Sequence, residues 1–245
     1  MNLTLKILLI VIAIIVVIAL ALPSILNLAG LHPKFDGNSF NLKGKKALII
    51  ATNHGILNKP GETDGKPTGL FLSELSIPYY DFKKSNIEVD IASIKGGKIP
   101  MEPVPFFIDT PEDKRFKKDT GAMSKLQNST PIKDIDFTEY DIIFISGGWG
   151  GAYDLGFSEL LGEKISEAYY SSKAIIGGVC HGVLGLIKAK DKDGNLLIAG
   201  RKMTAFKDIF ATLTVVDDEK RFVTGQNQNS GHETSYAMME ILNSQ

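Results

Sequence analysis

The chain has 245 residues, 44% hydrophobic and 22% charged, which is enough for one sizeable core and tight for two full domains. Its 27 Lys and Arg nearly cancel its 28 Asp and Glu, so no basic field draws it to nucleic acid, and no nucleic-acid partner is expected. The single cysteine, Cys180, excludes an internal disulfide, and with only four scattered histidines it excludes a four-ligand structural zinc module.

The first element in chain order stands apart from this average. Ile7 to Leu22 contains no charged or polar side chain, and the apolar character continues through Pro23, Ser24 and Asn27 to Leu31. About 25 such residues at 1.5 Å rise cross a hydrocarbon core of roughly 30 Å. Residues 1–30 are therefore expected to be a single-pass membrane anchor. The rival reading is a cleaved signal peptide, with Lys6 as its positive start and Ala19-Leu20-Ala21 as a small-x-small cleavage site. A helix buried in the globular domain is the third reading. Lys6 against Lys34 places the domain on the exported side of the membrane, or in the medium after cleavage. Residues 31–44 read as a tether to a domain over 45–245.

That domain alternates short β-branched runs with longer amphipathic stretches, the rhythm of an α/β sheet. Lys46 to Thr52 is an apolar strand of the kind covered on both faces. Gly69 to Lys84 predicts a short helix broken at Pro78. Ile87 to Ser93 alternates with period two and is a second strand. The proline-rich stretch 100–111 and the lysines of 114–118 predict a surface excursion ending in a weak helix near 121–127. Tyr140 to Ser146 is a third strand, leading into Gly147-Gly148-Trp149-Gly150-Gly151. A helix over 157–171, a strand over 174–179, an antiparallel pair at 213–216 and 221–224, and a helix over 231–242 complete the chain.

The chemistry-bearing stretch is Ile175 to Leu184, which contains Gly178-Val179-Cys180-His181-Gly182. A buried strand that delivers a nucleophile onto a sharp turn, with helix immediately after, is a nucleophile elbow, and small neighbours are needed where the backbone is strained. The free N–H groups of the following helix are expected to stabilise a thiolate, making Cys180 acidic and reactive.

This elbow resembles the ThiJ/PfpI superfamily, relatives of the class I glutamine amidotransferases. Further blocks are similar to its glyoxalase III and chaperone-deglycase branch. They are Thr68-Gly69 with Ser73-Glu74-Leu75 and Pro78-Tyr79, then Val89 to Ser93 with Lys95-Gly96-Gly97 and Pro100 to Pro103, then Gly147 to Leu155, and finally Thr224-Gly225-Gln226-Asn227 with Ser230. The resemblance runs from about residue 45 to the end. It implies a flavodoxin-like parallel sheet sandwiched by helices, and a cofactor-independent lyase/hydratase that turns a 2-oxoaldehyde such as methylglyoxal into a 2-hydroxy acid or removes early glycation adducts. No metal or cofactor is implied, and a homodimer is.

By the same resemblance Cys180 is the nucleophile, adding to an aldehyde carbonyl to form a hemithioacetal. Glu74 is a general acid/base, a role that needs a carboxyl pKa raised by burial. His181 assists protonation, and the backbone N–H groups of Gly148 and His181 stabilise an oxyanion. Trp149 and Gly150 join Gly148 as oxyanion or pocket residues. The pattern departs from the branch in two places. Trp149 stands where a histidine is usual, and the segment after Thr204-Ala205-Phe206-Lys207-Asp208 is shortened, leaving Asp208 as the one acid near the place of a third triad member.

Two readings from other classes stay open at this stage: a membrane-tethered stress chaperone or redox sensor in which Cys180 is oxidised in place, and an amidohydrolase or peptidase. Glutamine amidotransfer is disfavoured because His232 and Glu233 are adjacent rather than spaced to share one strand face.

Overall fold

Aliphatic and β-branched runs form the strands of the domain. In chain order these are β1 (Lys46–Ala51), β2 (Ile56–Leu57), β3 (Lys66–Pro67), β4 (Glu88–Ser93), β5 (Thr130–Pro131), β6 (Ile142–Ile145), β7 (Ile175–Val179), β8 (Thr214–Val216) and β9 (Phe222–Gly225). The α-helices are α1 (Leu3–Leu28), α2 (Ser73–Lys84), α3 (Pro111–Phe116), α4 (Thr120–Gln127), α5 (Gly151–Asp154), α6 (Glu159–Ser171) and α7 (Gly231–Asn243). The computed structural model describes residues 2–59, 61–208 and 211–245. Met1, at the head of the apolar leader, and Ile209 and Phe210, in the run after Asp208, lie outside the described residues.

Seven strands make one sheet in the order β5-β4-β1-β6-β7-β9-β8, parallel throughout except for the antiparallel pair β8 and β9, while β2 and β3 form a separate small hairpin. The longer parallel strands β1, β4, β6, β7 and β9 lie in the spatial order 2-1-3-4-5 of doubly wound sheets, which bind ligands outside the carboxyl ends of their strands.

Alternation along β1 divides the core. Ile49 joins Phe82, Phe144 and Met239 on the side covered by α2 and α7. Leu48 and Ile50 join Ile143, Leu161 and Ile165 on the side covered by α6. The expected α/β architecture with a mostly parallel sheet is present.

Three local expectations need correction. First, α2 runs straight through Pro78 instead of breaking there. The proline removes one backbone hydrogen bond, but Ile77, Tyr79, Tyr80 and Phe82 are buried on either side of it, and that packing outweighs the loss. Second, the excursion over 100–127 is structured. A capping box between Thr110 and Asp113 starts α3, and Phe116 and Leu126 are fully buried. Third, residues 31–44 do not hang free. The Phe35 ring stacks on His232 at 5.8 Å and tilts against Tyr236 at 4.9 Å, His32 Nε2 lies 2.7 Å from the Ile108 carbonyl oxygen, and Leu42 is buried. Phe35 and Phe40 thereby pack on the His232 and Tyr236 rings of α7.

Helix α1 buries none of its residues, and among the described residues it is the one helix long and apolar enough to cross a membrane.

Candidate active site

Strand β7 ends at Val179 in extended conformation, and the next residue, Cys180, sits at φ +57°. Positive φ in a residue with a side chain is strained, and here it turns the sulfur out of the sheet as an elbow requires. The turn exists only because its neighbours are glycines: a Cβ on Gly182 would collide with the carbonyl oxygen of Ile145. The helical segment that follows, Cys180–Leu186, is a 3-10 helix.

Helix α2 contributes Glu74 from its first turn, and only 1% of that residue is exposed. Burial pushes its carboxyl up to about 8, with the charge of Glu102 adding to the shift and the Cys180 thiol and the Gly147 and Gly148 amides opposing it. Glu74 is therefore mostly protonated at neutral pH. Cys180 is 5% exposed, and burial followed by the proximity of Glu74 pushes its thiol well above the usual range, against the opposing pull of the His181 and Gly148 amides. The expected acidic thiol is thus not the resting state. The short 3-10 segment lacks the extended dipole of an α-helix, and desolvation exceeds what two amides return.

His181 places Nδ1 3.3 Å from Cys180 Sγ, and burial lowers its pKa, so the imidazole is neutral at physiological pH. Gly148 holds φ +102° beside the backbone of Gly69 and Phe71, which keeps its amide at the site.

Cys180, His181, Glu74, Gly148 and Trp149 converge on one cavity of about 150 Å³. Two residues of the expected set lie elsewhere. Gly150 is buried behind the cavity, its N–H donating to the Gly69 carbonyl oxygen at 3.1 Å. Asp208 is exposed, its carbonyl oxygen accepting from Asn227 Nδ2, and it does not line the cavity. Among the described residues no hydrogen bond or ion pair joins His181 to a carboxylate, and no group of three His, Cys, Asp or Glu forms a metal site.

Four lining residues were not anticipated: Phe71, Glu102, Phe206 and Gln228. Each lies within or next to a block singled out above, so the signal was proximity to a motif, but nothing in the local sequence said which neighbour faces inward. Glu102 accepts the Trp149 backbone N–H and thereby fixes the glycine-rich loop.

The DJ-1/PfpI family matches residues 68–240. The chain belongs to this family. Glyoxalase 3 of Candida albicans is 32% identical to this DJ-1/PfpI protein over 177 residues, covering 71% of this chain and 73% of the relative. The glutathione-independent glyoxalase HSP31 of Saccharomyces cerevisiae is 30% identical over 177 residues, with the same coverage of 71% and 73%. The crystal structure of the Candida glyoxalase III superposes with a TM-score of 0.70 at 25% identity, over 80% of this chain and 96% of that one. The Rapid Encystment Protein of Francisella tularensis superposes with a TM-score of 0.72 at 27% identity, over 81% and 99%. Membership in the family and similarity to its glyoxalase III branch are as the sequence blocks implied.

Proposed function

We propose that this protein is a cofactor-independent glyoxalase of the glyoxalase III type, acting on small uncharged 2-oxoaldehydes such as methylglyoxal. The observation that carries this reading is the convergence, in one small cavity, of a strained elbow cysteine, a neutral histidine 3.3 Å from its sulfur and a fully buried glutamate. The relatives named Glyoxalase 3 and glutathione-independent glyoxalase HSP31 support it.

In the proposed reaction the Cys180 sulfur bonds to the aldehyde carbon as His181 takes the thiol proton and passes it to the former carbonyl oxygen, giving a hemithioacetal. The amides of Gly148 and His181 are available to the oxygen while it carries charge. Glu74, in its ionised form, removes the proton from the sulfur-bearing carbon, leaving an enediolate, and returns it to the neighbouring carbon. The hydroxyl proton moves between the two oxygens, and the result is a 2-hydroxyacyl thioester. Water then cleaves the thioester, regenerating the thiol and releasing the 2-hydroxy acid. Overall one water is added, and no electrons enter or leave.

A carboxyl poised near 8 suits this work, because it is basic enough to take the carbon-bound proton and acidic enough to return it. The described cavity lining carries no Lys or Arg to pair with an anion, which disfavours anionic carbonyl substrates. A buried cysteine whose thiol is pushed upward is poorly suited to reversible oxidation, so the redox-sensor reading is the weaker one.

We also propose that α1 anchors the protein in a membrane with the domain on the exported side. The length and apolar composition of this helix, with none of its residues buried, support the anchor.

The test of the activity is 2-hydroxy acid formation from methylglyoxal by the detergent-solubilised full chain, compared with Cys180→Ala and Glu74→Gln. Turnover by wild type no faster than by either variant would sink the enzyme reading. For the anchor, resistance to carbonate extraction and a mass that retains residues 1–21 are expected, whereas a mature amino terminus at Leu22 would show a cleaved signal.

A further inference from the structure

Among the described residues no carboxylate joins His181 to complete a Cys-His-acid triad. Its one hydrogen-bond relation among the described residues is to Cys180 Sγ, at 3.3 Å through Nδ1, and burial is the one influence that shifts its pKa. An imidazole so placed needs some other restraint, because rotation about its side-chain bonds would carry Nδ1 away from the sulfur.

Two aromatic rings supply that restraint. The Trp149 ring lies 4.6 Å from the His181 ring, tilted by 39°, and Phe206 stacks on it at 5.2 Å with an interplanar angle of 22°. The two meet each other edge-on at 6.0 Å, closing a three-ring cluster.

Each ring is carried on backbone that is itself tied down. The Trp149 backbone N–H donates to Glu102. Phe206 lies between two anchors: the Thr204 N–H donates to Thr224 Oγ1 at 3.0 Å, and the Asp208 carbonyl oxygen accepts from Asn227 Nδ2. Both rings remain partly open, with 49% of Trp149 and 37% of Phe206 exposed, so neither is explained as core filling.

We propose that Trp149 and Phe206 are positioning residues that clamp the His181 imidazole in register with Cys180 Sγ, taking over by ring stacking the orienting role that an acid would perform. An acid fixes a histidine by a hydrogen bond and also stabilises its charged form. Stacking fixes the plane and leaves the ring neutral. This matches a histidine that relays a proton without holding it. The kinetic part of the proposal rests on the glyoxalase reading above, and the geometric part does not.

The test uses the full chain in detergent with Phe206→Leu, which keeps bulk but removes the ring, and Phe206→Tyr, which keeps the ring. Methylglyoxal and phenylglyoxal are compared as substrates. Phe206→Leu is expected to lower kcat about tenfold for both, the factor that about 1.4 kcal/mol represents. KM stays within about twofold, because an interaction affecting the transition state alone has been lost. Phe206→Tyr rescues kcat.

In parallel, 15N spectra of histidine-labelled protein, assigned with His181→Ala, should show a single His181 tautomer in wild type and an averaged pair of resonances in Phe206→Leu. A rise in KM with kcat kept, or a loss much larger for phenylglyoxal than for methylglyoxal, would make Phe206 a substrate wall and overturn the clamp. So would unchanged His181 resonances in Phe206→Leu. If wild type turns over neither dicarbonyl the glyoxalase reading fails, and the 15N comparison still decides the clamp.

Discussion

The two sides of the active cavity are built in opposite ways. The side carrying Cys180 and Glu74 is formed by the end of β7 and the first turn of α2, is almost wholly buried, and has backbone packed against backbone so closely that Gly182 admits no side chain. The side carrying Phe206 is an exposed segment joined to β9 and the residues after it by hydrogen bonds to the Thr224 hydroxyl oxygen and from the Asn227 amide nitrogen. The buried side sets the reactivity of the groups, since desolvation shifts both the carboxyl and the thiol. The open side affects orientation and access, and it can vary without disturbing the core.

The difference can be challenged by substitution. The largest effect is expected from Cys180→Ala, which should lower turnover by on the order of a thousandfold or more while leaving the melting temperature almost unchanged. A residual rate close to wild type would move the chemistry away from the elbow.

Glu74→Gln is expected to cost about a hundredfold in kcat. It should also change the pH dependence of stability. The folded carboxyl titrates near 8 against an ordinary value of 4.5, so the native state holds a proton that the unfolded chain releases. The stability contribution of Glu74 is therefore complete below about 4.5, declines as pH rises to about 8 and is flat above that. Urea titrations should show wild type losing up to about 1.4 kcal/mol per pH unit across this window and Glu74→Gln losing less. In activity, the wild-type rate should climb toward the alkaline side with a midpoint near 8, reported by the Glu74–Cys180 pair together.

Gly182→Ala probes the rigidity of the buried side, because the added carbon meets the Ile145 carbonyl group. Destabilisation by about 3 kcal/mol is expected in chemical denaturation.

The smallest effect should come from the open side. Asn227→Ala removes the bonds from Nδ2 to the carbonyl oxygens of Asp208 and Ala211 and the bond that Oδ1 accepts from the Asn229 N–H, and should cost about 1–2 kcal/mol, with kcat reduced a few-fold through looser placement of Phe206. If Asn227→Ala destabilised the fold as much as Gly182→Ala, the contrast between the two sides would collapse.

How much of this was legible follows the range of the interactions. The parallel strands were readable because a strand covered on both faces is a continuous apolar run, as in Lys46–Ala51 and Ile175–Val179. Cys180 and His181 were singled out by their glycine-flanked context and Glu74 by the family resemblance together with its apolar surroundings, and the structure brings the three to one cavity. Pro78 misled, since local propensity argues for a break and only the burial of its neighbours argues against it. The segment 31–44 misled in the same way, because its partners on α7 are some two hundred positions away in the chain.

The sequence alone determined the alternation that makes an α/β sheet, the apolar leader, and the elbow with its cysteine, because each is written in residues adjacent to one another. The tertiary structure alone decided that Glu74 and Cys180 share a desolvated space and shift each other's proton affinity. It also decided that Asp208 stays away from His181 while Trp149 and Phe206 stack on it. Burial and ring stacking depend on what the fold brings from distant parts of the chain, and no window of sequence contains that information.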